Sequence, residues 1–262
     1  MKRAAAKYLA FVRVAMIQAC HQRAELCGRI GFFAIVLGVF TSLWRAVDGA
    51  GMPIAALPGT LVWYLAATEW IVLSVPMIHL DVQESIRRGD VVCQLGRPIS
   101  FVGAAMAEGV GALVLRLMVL AGPAFALAWW FTGVTPPWRA FVALIPFGLA
   151  AAVLLTALHL CIGLLAFWLQ DVAPLYWVFQ KLMFVLGGLM LPIQLYPEVV
   201  QRIASWTPFP STLAGPASFV LSEPAIEANM LAMRLLAWTV VVALALYGLS
   251  RRAIAALTIN GG

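Results

Sequence analysis

Charge is what this chain has least of. Only 11% of its 262 residues are Asp, Glu, Lys or Arg, where a soluble domain carries roughly 25%. That leaves too little polar surface to coat a water-soluble core, which excludes a soluble enzyme or a soluble binding module. The mean hydropathy of +0.97 makes the bilayer the solvent. Polar–apolar alternation over about 10 positions, the mark of a membrane β-barrel strand, is also missing. The apolar runs are solid, and runs of about 20 such residues read as spanning helices. Only a helix satisfies every backbone group within one segment of chain in lipid.

Other absences narrow the function. Lysine occurs only as Lys2, Lys7 and Lys181, and none follows a glycine-rich loop. There is no G-x-x-x-x-G-K-[ST] to cradle ATP phosphates. His21, His79 and His159 are scattered, with no H-E-x-x-H and no Ser-His-Asp set in view, so no catalytic constellation is visible. Cys20, Cys27, Cys93 and Cys161 all fall outside the extracytoplasmic loops of the predicted topology, which argues against disulfides. Cys20 and Cys27 lack a second pair that would make a zinc site. The first 28 residues contain no long apolar run, because Lys2, Arg3, Lys7, Arg13 and Arg23 interrupt them, so they do not read as a signal peptide. No internal repeat or low-complexity tail is present. The net charge of +6 is a loop asymmetry of the kind membrane proteins carry and not a nucleic-acid footprint.

What is there is an all-α integral membrane pattern forming a single domain over residues 1–262. Tyr8, Phe11, Val12, Ala15, Met16 and Ala19 recur at helical spacing and predict an amphipathic helix within 1–28 lying in the membrane interface. Six spans come after it, at about 30–47, 57–78, 102–131, 139–169, 174–195 and 229–250. The third and fourth exceed the minimum length and should tilt or project beyond the bilayer. With the N-terminus in the cytoplasm, Lys2, Arg3, Lys7, Arg13, Arg23, Arg29, Arg87, Arg88, Arg97, Arg251 and Arg252 lie inside. Arg45, Arg139, Arg202 and Arg234 lie outside, a ratio of eleven to four. The positive-inside rule then puts both termini in the cytoplasm. Trp44, Trp129, Trp130 and Trp138 mark the outer interface, and Trp168 and Trp177 the inner one. Between the last two spans, residues 192–224 are proline-rich. Pro197 starts a short helix with Val199, Val200, Ile203 and Trp206 on one face, and Pro208 and Pro210 end it. Residues 211–220 are apolar but too short to span, so the segment reads as a re-entrant or interface-lying hairpin.

Two polar features stand out against this background. The first is residues 79–101, HLDVQESIRRGDVVCQLGRPISF, which hold three acids and three arginines between two apolar spans. Val82, Ile86, Val92 and Leu95 give this segment an apolar side, and Asp81, Glu84, Arg87 and Arg88 a charged one. Gly89 breaks the helix, Asp90 can cap the next helical turn, and Pro98 ends it before the third span. The result is a short amphipathic surface helix, a turn and a second helical turn, with an apolar stripe that needs a partner. The second feature is intramembrane charge. Counted at 1.5 Å per residue from the cytoplasmic ends, Glu69 lies roughly 15 Å and Arg116 roughly 21 Å up, with Glu108 lower. Buried charges mark function or a pairing. A Glu69–Arg116 salt bridge that fixes helix registry and a polar contact for substrate or gating are both open. Trp63, Tyr64 and Trp70 on the same span either line a path or pack.

The residues Glu84-Ser85-Ile86-Arg87-Arg88-Gly89-Asp90, and then Leu95-Gly96-Arg97-Pro98-Ile99, resemble the E-x-I-x-x-G-x…L-x-R-P-[IL] stretch of ABC type-2 transporter permeases. The resemblance is to the six-span bacterial branch whose ATPase is a separate chain, and it covers the whole layout. Cys93 and Gln94 stand where that pattern is more apolar. The resemblance implies that residues 79–100 are a cytoplasmic coupling helix. Val82, Ile86, Val91, Val92 and Leu95 would dock on the ATP-binding subunit, and Glu84, Arg87, Arg88 and Arg97 would pair with it or with the N-terminal helix. It further implies two ATP-binding subunits that hold the ATP and Mg, a second permease, identical or homologous, and contact with membrane lipid. No cofactor in this chain and no nucleic acid are expected. The function implied is ATP-driven export of an amphipathic or hydrophobic small molecule or lipid across the bacterial cytoplasmic membrane. The rival readings are a secondary transporter using Glu69 and Arg116, a membrane enzyme, and a non-catalytic membrane subunit.

Overall fold

The computed structural model describes residues 2–50, 58–91, 99–221 and 227–260, and every regular element among them is helical. α1 (Lys2–His21) and α2 (Arg23–Gly49) succeed one another across a break at Gln22. α3 (Pro58–Ser74) and α4 (Ile78–Arg87) are separated by Val75, Pro76 and Met77. α5 (Phe101–Thr132) is the longest helix before the C-terminal one and is capped by Ser100, whose Oγ accepts from the Gly103 N–H at 3.3 Å. α6 (Trp138–Leu164) begins directly after Pro137 and runs into a short 3₁₀ turn to Phe167. α7 (Ala173–Leu186) begins just after Asp171, whose Oδ1 accepts from the Ala173 N–H at 3.0 Å. α8 (Glu198–Ser205), α9 (Phe209–Thr212) and α10 (Ala214–Ser218) are short, and α11 (Ala228–Asn260) closes the chain.

Five helical segments among the described residues are long and apolar enough to cross a membrane: Arg23–Gly49, Gly59–Arg87, Phe101–Thr132, Trp138–Phe167 and Ala228–Ala253. The sequence predicts six, and the helix of the fifth falls short of that length. Its helix, α7, has only 14 residues, short of the roughly 20 that a crossing needs. The chain turns at Gly187 and Gly188, and the Gly187 carbonyl accepts from the Ala214 N–H at 3.1 Å. The apolar residues beyond the turn lead into the α8–α10 segment.

α3 is the hub. Leu61, Tyr64, Leu65, Ala66, Ala67, Thr68 and Ile71 are fully buried, as expected of a helix that is apolar on every side. α2, α5, α6 and α10 surround it. In lipid the hydrophobic effect does not drive helices together, so packing and hydrogen bonds do that work at about 0.6 kcal/mol per interhelical bond. α3 supplies four such bonds to backbone, Trp63 Nε1 donating to Val134 O at 2.8 Å in the first. Tyr64 Oη donates to Gly188 O at 2.5 Å, Thr68 Oγ1 to Leu189 O at 2.7 Å and Trp70 Nε1 to Leu117 O at 2.9 Å. The Tyr64 and Thr68 bonds hold the turn after α7 onto α3.

The N-terminal helix also departs from its expectation. Its predicted stripe is indeed the covered face, with Ala15 and Ala19 buried and Tyr8, Phe11, Val12 and Met16 half-buried. However, α5 covers it, and the helix ends at His21 rather than near 28. Tyr8 packs over Gly103, and Ala15 and the Val12 carbonyl sit over Gly111, where any side chain would collide with that carbonyl. The rising register continues into α2, where Glu25 meets Arg116. α1 thus runs alongside α5 instead of lying alone in the interface.

The outer segment, described as far as residue 221, is split in character. On α8, Val199, Ile203 and Trp206 are 69%, 53% and 78% exposed. Leu213, Ala214, Ala217 and Ser218 are buried in the bundle against α3, α6 and α11. The second half is therefore packed inward, which favours the re-entrant over the interface-lying alternative.

Candidate functional site

The polar island is the bent end of the second span. Pro76 has no backbone N–H to continue the ladder of α3, and its free carbonyl lies 3.3 Å from His159 Nδ1. α4 then starts at Ile78 and stops at Arg87, and Gly89, at φ +78°, takes the left-handed conformation that ends the helix as the sequence predicts.

The apolar stripe of α4 has a partner, and it is this chain. Val82 and Val91 are buried, and Ile86 is half-buried against Ile162, Ala166 and Val172. The close approach rests on Gly163 of α6, where a Cβ would lie 3.0 Å from His79 Cα and 3.1 Å from Val82 Cβ. Gln83 Oε1 also accepts from the Val172 N–H at 2.8 Å, tying α4 to the start of α7. Val82 and Ile86, two of the expected docking residues, therefore pack on α6 and the turn after it within this chain. Glu84, Arg87, Arg88, Gly89 and Asp90 remain exposed. Glu84 and Arg88 pair at 2.7 Å with 50% and 68% side-chain exposure, so the pair contributes at most about 1 kcal/mol and leaves both groups reachable. Val92, Leu95 and Arg97 lie outside the described residues.

The intramembrane charges also pair differently from the expectation. Arg116 is 7% exposed, and its Nη2 donates to Glu25 Oε1 at 2.8 Å rather than to Glu69. Glu25 Oε1 simultaneously accepts from Arg29 Nη2 at 2.8 Å, and Arg29 Nη1 donates to Leu73 O on α3. One carboxylate therefore ties α2 to α5, and its arginine neighbour ties α2 to α3. Glu69 is buried with no hydrogen-bond or ion-pair partner among the described residues. Trp63 donates from Nε1 to Val134 O at 2.8 Å and packs on Phe125 and Phe141. Tyr64 and Trp70 bond to the Gly188 and Leu117 carbonyls. All three aromatics thus sit in the closed core with their polar atoms satisfied.

Beside the Glu25–Arg116 pair is an open-sided cavity of about 870 Å³, lined by α1, the start of α2, α4 and the first half of α5. Glu25, Arg29, Asp81, Glu108 and Arg116 all line it. Sequence reasoning passed over Glu25. Its only signal was the Glu25/Arg29 i,i+4 spacing at the head of the first span. It also passed over the ring cluster of buried His79 and His159 with half-buried Tyr176. Here His79 stacks on Tyr176 with centroids 3.8 Å apart, and the two histidine rings lie 5.4 Å apart. No local pattern links residues so far apart in sequence.

The family described as ABC-2 family transporter protein matches residues 60–261, which leaves α1 and α2 outside the matched region. No curated protein matches the chain. A bundle of long apolar helices, a bent second span ending in a charged turn, and a family match over most of its length place this chain in the ABC-2 transporter family of membrane proteins.

Proposed function

We propose that this chain is the permease subunit of an ATP-driven transporter that moves an amphipathic or hydrophobic small molecule or lipid out across the bacterial cytoplasmic membrane. Both termini are cytoplasmic, and the complex holds two separate ATP-binding subunits, with their ATP and Mg, and a second permease. The observation that carries this reading is the construction of α4. Its exposed rim of Glu84, Arg87, Arg88 and Asp90 is free to contact another protein. Its opposite side is wedged against α6 at Gly163 and bonded to the start of α7 through Gln83. A push on the rim is transmitted to two helices at once, because a packed core moves as rigid bodies and not as a compressible medium. The chain has no phosphate-binding loop of its own, so the push must come from a partner that hydrolyses ATP.

The test is reconstitution in vesicles. The chain alone is expected to hydrolyse no ATP, while co-expression with the ATP-binding subunit yields a complex with permease-dependent hydrolysis. Hydrolysis by the lone chain overturns the proposal.

A further inference from the structure

The 870 Å³ cavity is within the roughly 300–1,000 Å³ range of sites that enclose small ligands. A third of its lining residues, eight of 24, come from α1 and α2, outside the region matched to the family. Three carboxylates line it, Glu25 and the exposed Asp81 and Glu108, against two guanidiniums, Arg29 and Arg116. Glu25 Oε1 is shared by Arg29 and Arg116, two cations on one anion. Arg116 is more than nine-tenths buried, and its Nη1 has no hydrogen-bond partner. A buried donor without an acceptor costs about 1–3 kcal/mol, and more when it is charged. On the same cavity wall, Asp81 and Glu108 have no hydrogen bond or salt bridge among the described residues. Phe11, Phe32, Met77 and Phe101 supply an apolar lining.

We infer that this cavity binds a zwitterionic amphiphile with a phosphoethanolamine-type head group. The phosphate accepts from Arg116 Nη1, the ammonium lies against Asp81 and Glu108, and an alkyl chain runs along the phenylalanines. An anionic amphiphile would set a second negative charge against the two free carboxylates. A simple alkylamine would leave Arg116 unsatisfied. Only a ligand carrying both charges answers both groups, and its apolar part explains why the lining is not polar throughout. This binding does not depend on ATP or on a partner chain, so it stands or falls separately from the transport reading.

The experiment is fluorescence titration of the purified full chain in maltoside micelles with three acyl-labelled probes: a phosphatidylethanolamine, a phosphatidylglycerol and a long-chain alkylamine. The wild type should bind the phosphatidylethanolamine tighter than either other probe by about tenfold or more, the worth of one charge-assisted hydrogen bond. Glu108→Gln and Asp81→Asn should erase the preference over phosphatidylglycerol. Arg116→Gln should erase the preference over the alkylamine. Phosphatidylglycerol binding as tightly as phosphatidylethanolamine to the wild type overturns the inference, and so does an unchanged preference in both carboxylate variants. Because those two variants leave the Glu25–Arg116 pair intact, a folding defect in Arg116→Gln does not remove the test. Water-soluble phosphoethanolamine should fail to displace the lipid probe at millimolar concentration, and displacement by it excludes an amphiphile in favour of a free head group.

Discussion

Arg116 Nη2 and Glu25 Oε1 meet at 2.8 Å although 91 positions separate them in the sequence. This pair, with Arg29 on the same carboxylate, locks the start of α2 to the middle of α5. Breaking one side of a buried ion pair costs about 3–5 kcal/mol, because the surviving charge is left uncompensated. Here the low end applies, since the Glu25 side chain is 38% exposed. Glu25→Ala should lower the thermal midpoint measured by tryptophan fluorescence in detergent by several degrees. The double variant Glu25→Ala/Arg116→Met should recover part of that loss, because it no longer buries a lone guanidinium. A midpoint unaffected by Glu25→Ala would mean that the pair does not hold α2 to α5.

A second expectation concerns the seat of α1. Gly111 lets the Val12 carbonyl come within contact of the α5 backbone, the small-residue approach that membrane helices use in place of a hydrophobic driving force. Gly111→Leu should lift α1 from α5 and expose the bonds after Lys7 and Arg13 to trypsin in detergent. Gly122→Leu, at a position where nothing lies near a new Cβ, should leave the digestion pattern unchanged. Equal protease resistance of Gly111→Leu and the wild type counts against α1 packing on α5.

These contacts show what the sequence can and cannot disclose. Four of the five long helices coincide with predicted spans, and the fifth corresponds to the second span prolonged through Pro76 into α4. Runs of about 20 apolar residues leave the backbone no other way to satisfy itself in lipid. The run at 174–195 holds a break that hydropathy does not register. Gly187 and Gly188 turn the chain while every residue around them stays apolar. The partner of Arg116, Glu25 and not Glu69, is hidden for a related reason. α3 and α5 are neighbours as expected, but the choice between Glu69 and Glu25 depends on how α5 is rotated about its axis, which only the packing of α1 and α2 decides. The stripe on α4 was readable. Its occupant was not, because Gly163 lies 81 positions from Val82 and no local pattern connects them.

Orientation gives a third expectation. Eleven basic residues fall on the proposed cytoplasmic side against four outside, the bias from which the proposed orientation follows. In a variant otherwise free of cysteine, a cysteine at Ser222 should react with a membrane-impermeant maleimide added to intact cells. Cys93 alone should react only after the cells are opened. Labelling of Cys93 in intact cells would reverse the topology and move α4 to the wrong face for an ATP-binding partner.

The last expectation separates the two sides of α4. If the whole stripe were a docking surface, an acid at Val82 would weaken partner binding and leave the fold alone. The structure places Val82 at 3% exposure against α6 and the Gly163 gap. Val82→Asp therefore buries an unpaired carboxylate, which in practice means misfolding or a loss of several kcal/mol. The exposed rim behaves differently. Arg87→Glu and Arg88→Glu change charge at positions that water already reaches, so they should leave expression and the thermal midpoint within the small range of surface substitutions. Each should still reduce co-purification of the ATP-binding subunit, and raising the salt concentration should weaken the wild-type complex in the same direction, because exposed charge contacts are screened. Stable, well-expressed Val82→Asp that loses the partner would restore the apolar stripe as the docking face. Full co-purification of the Arg87→Glu/Arg88→Glu double variant would move the partner's contact away from this rim altogether.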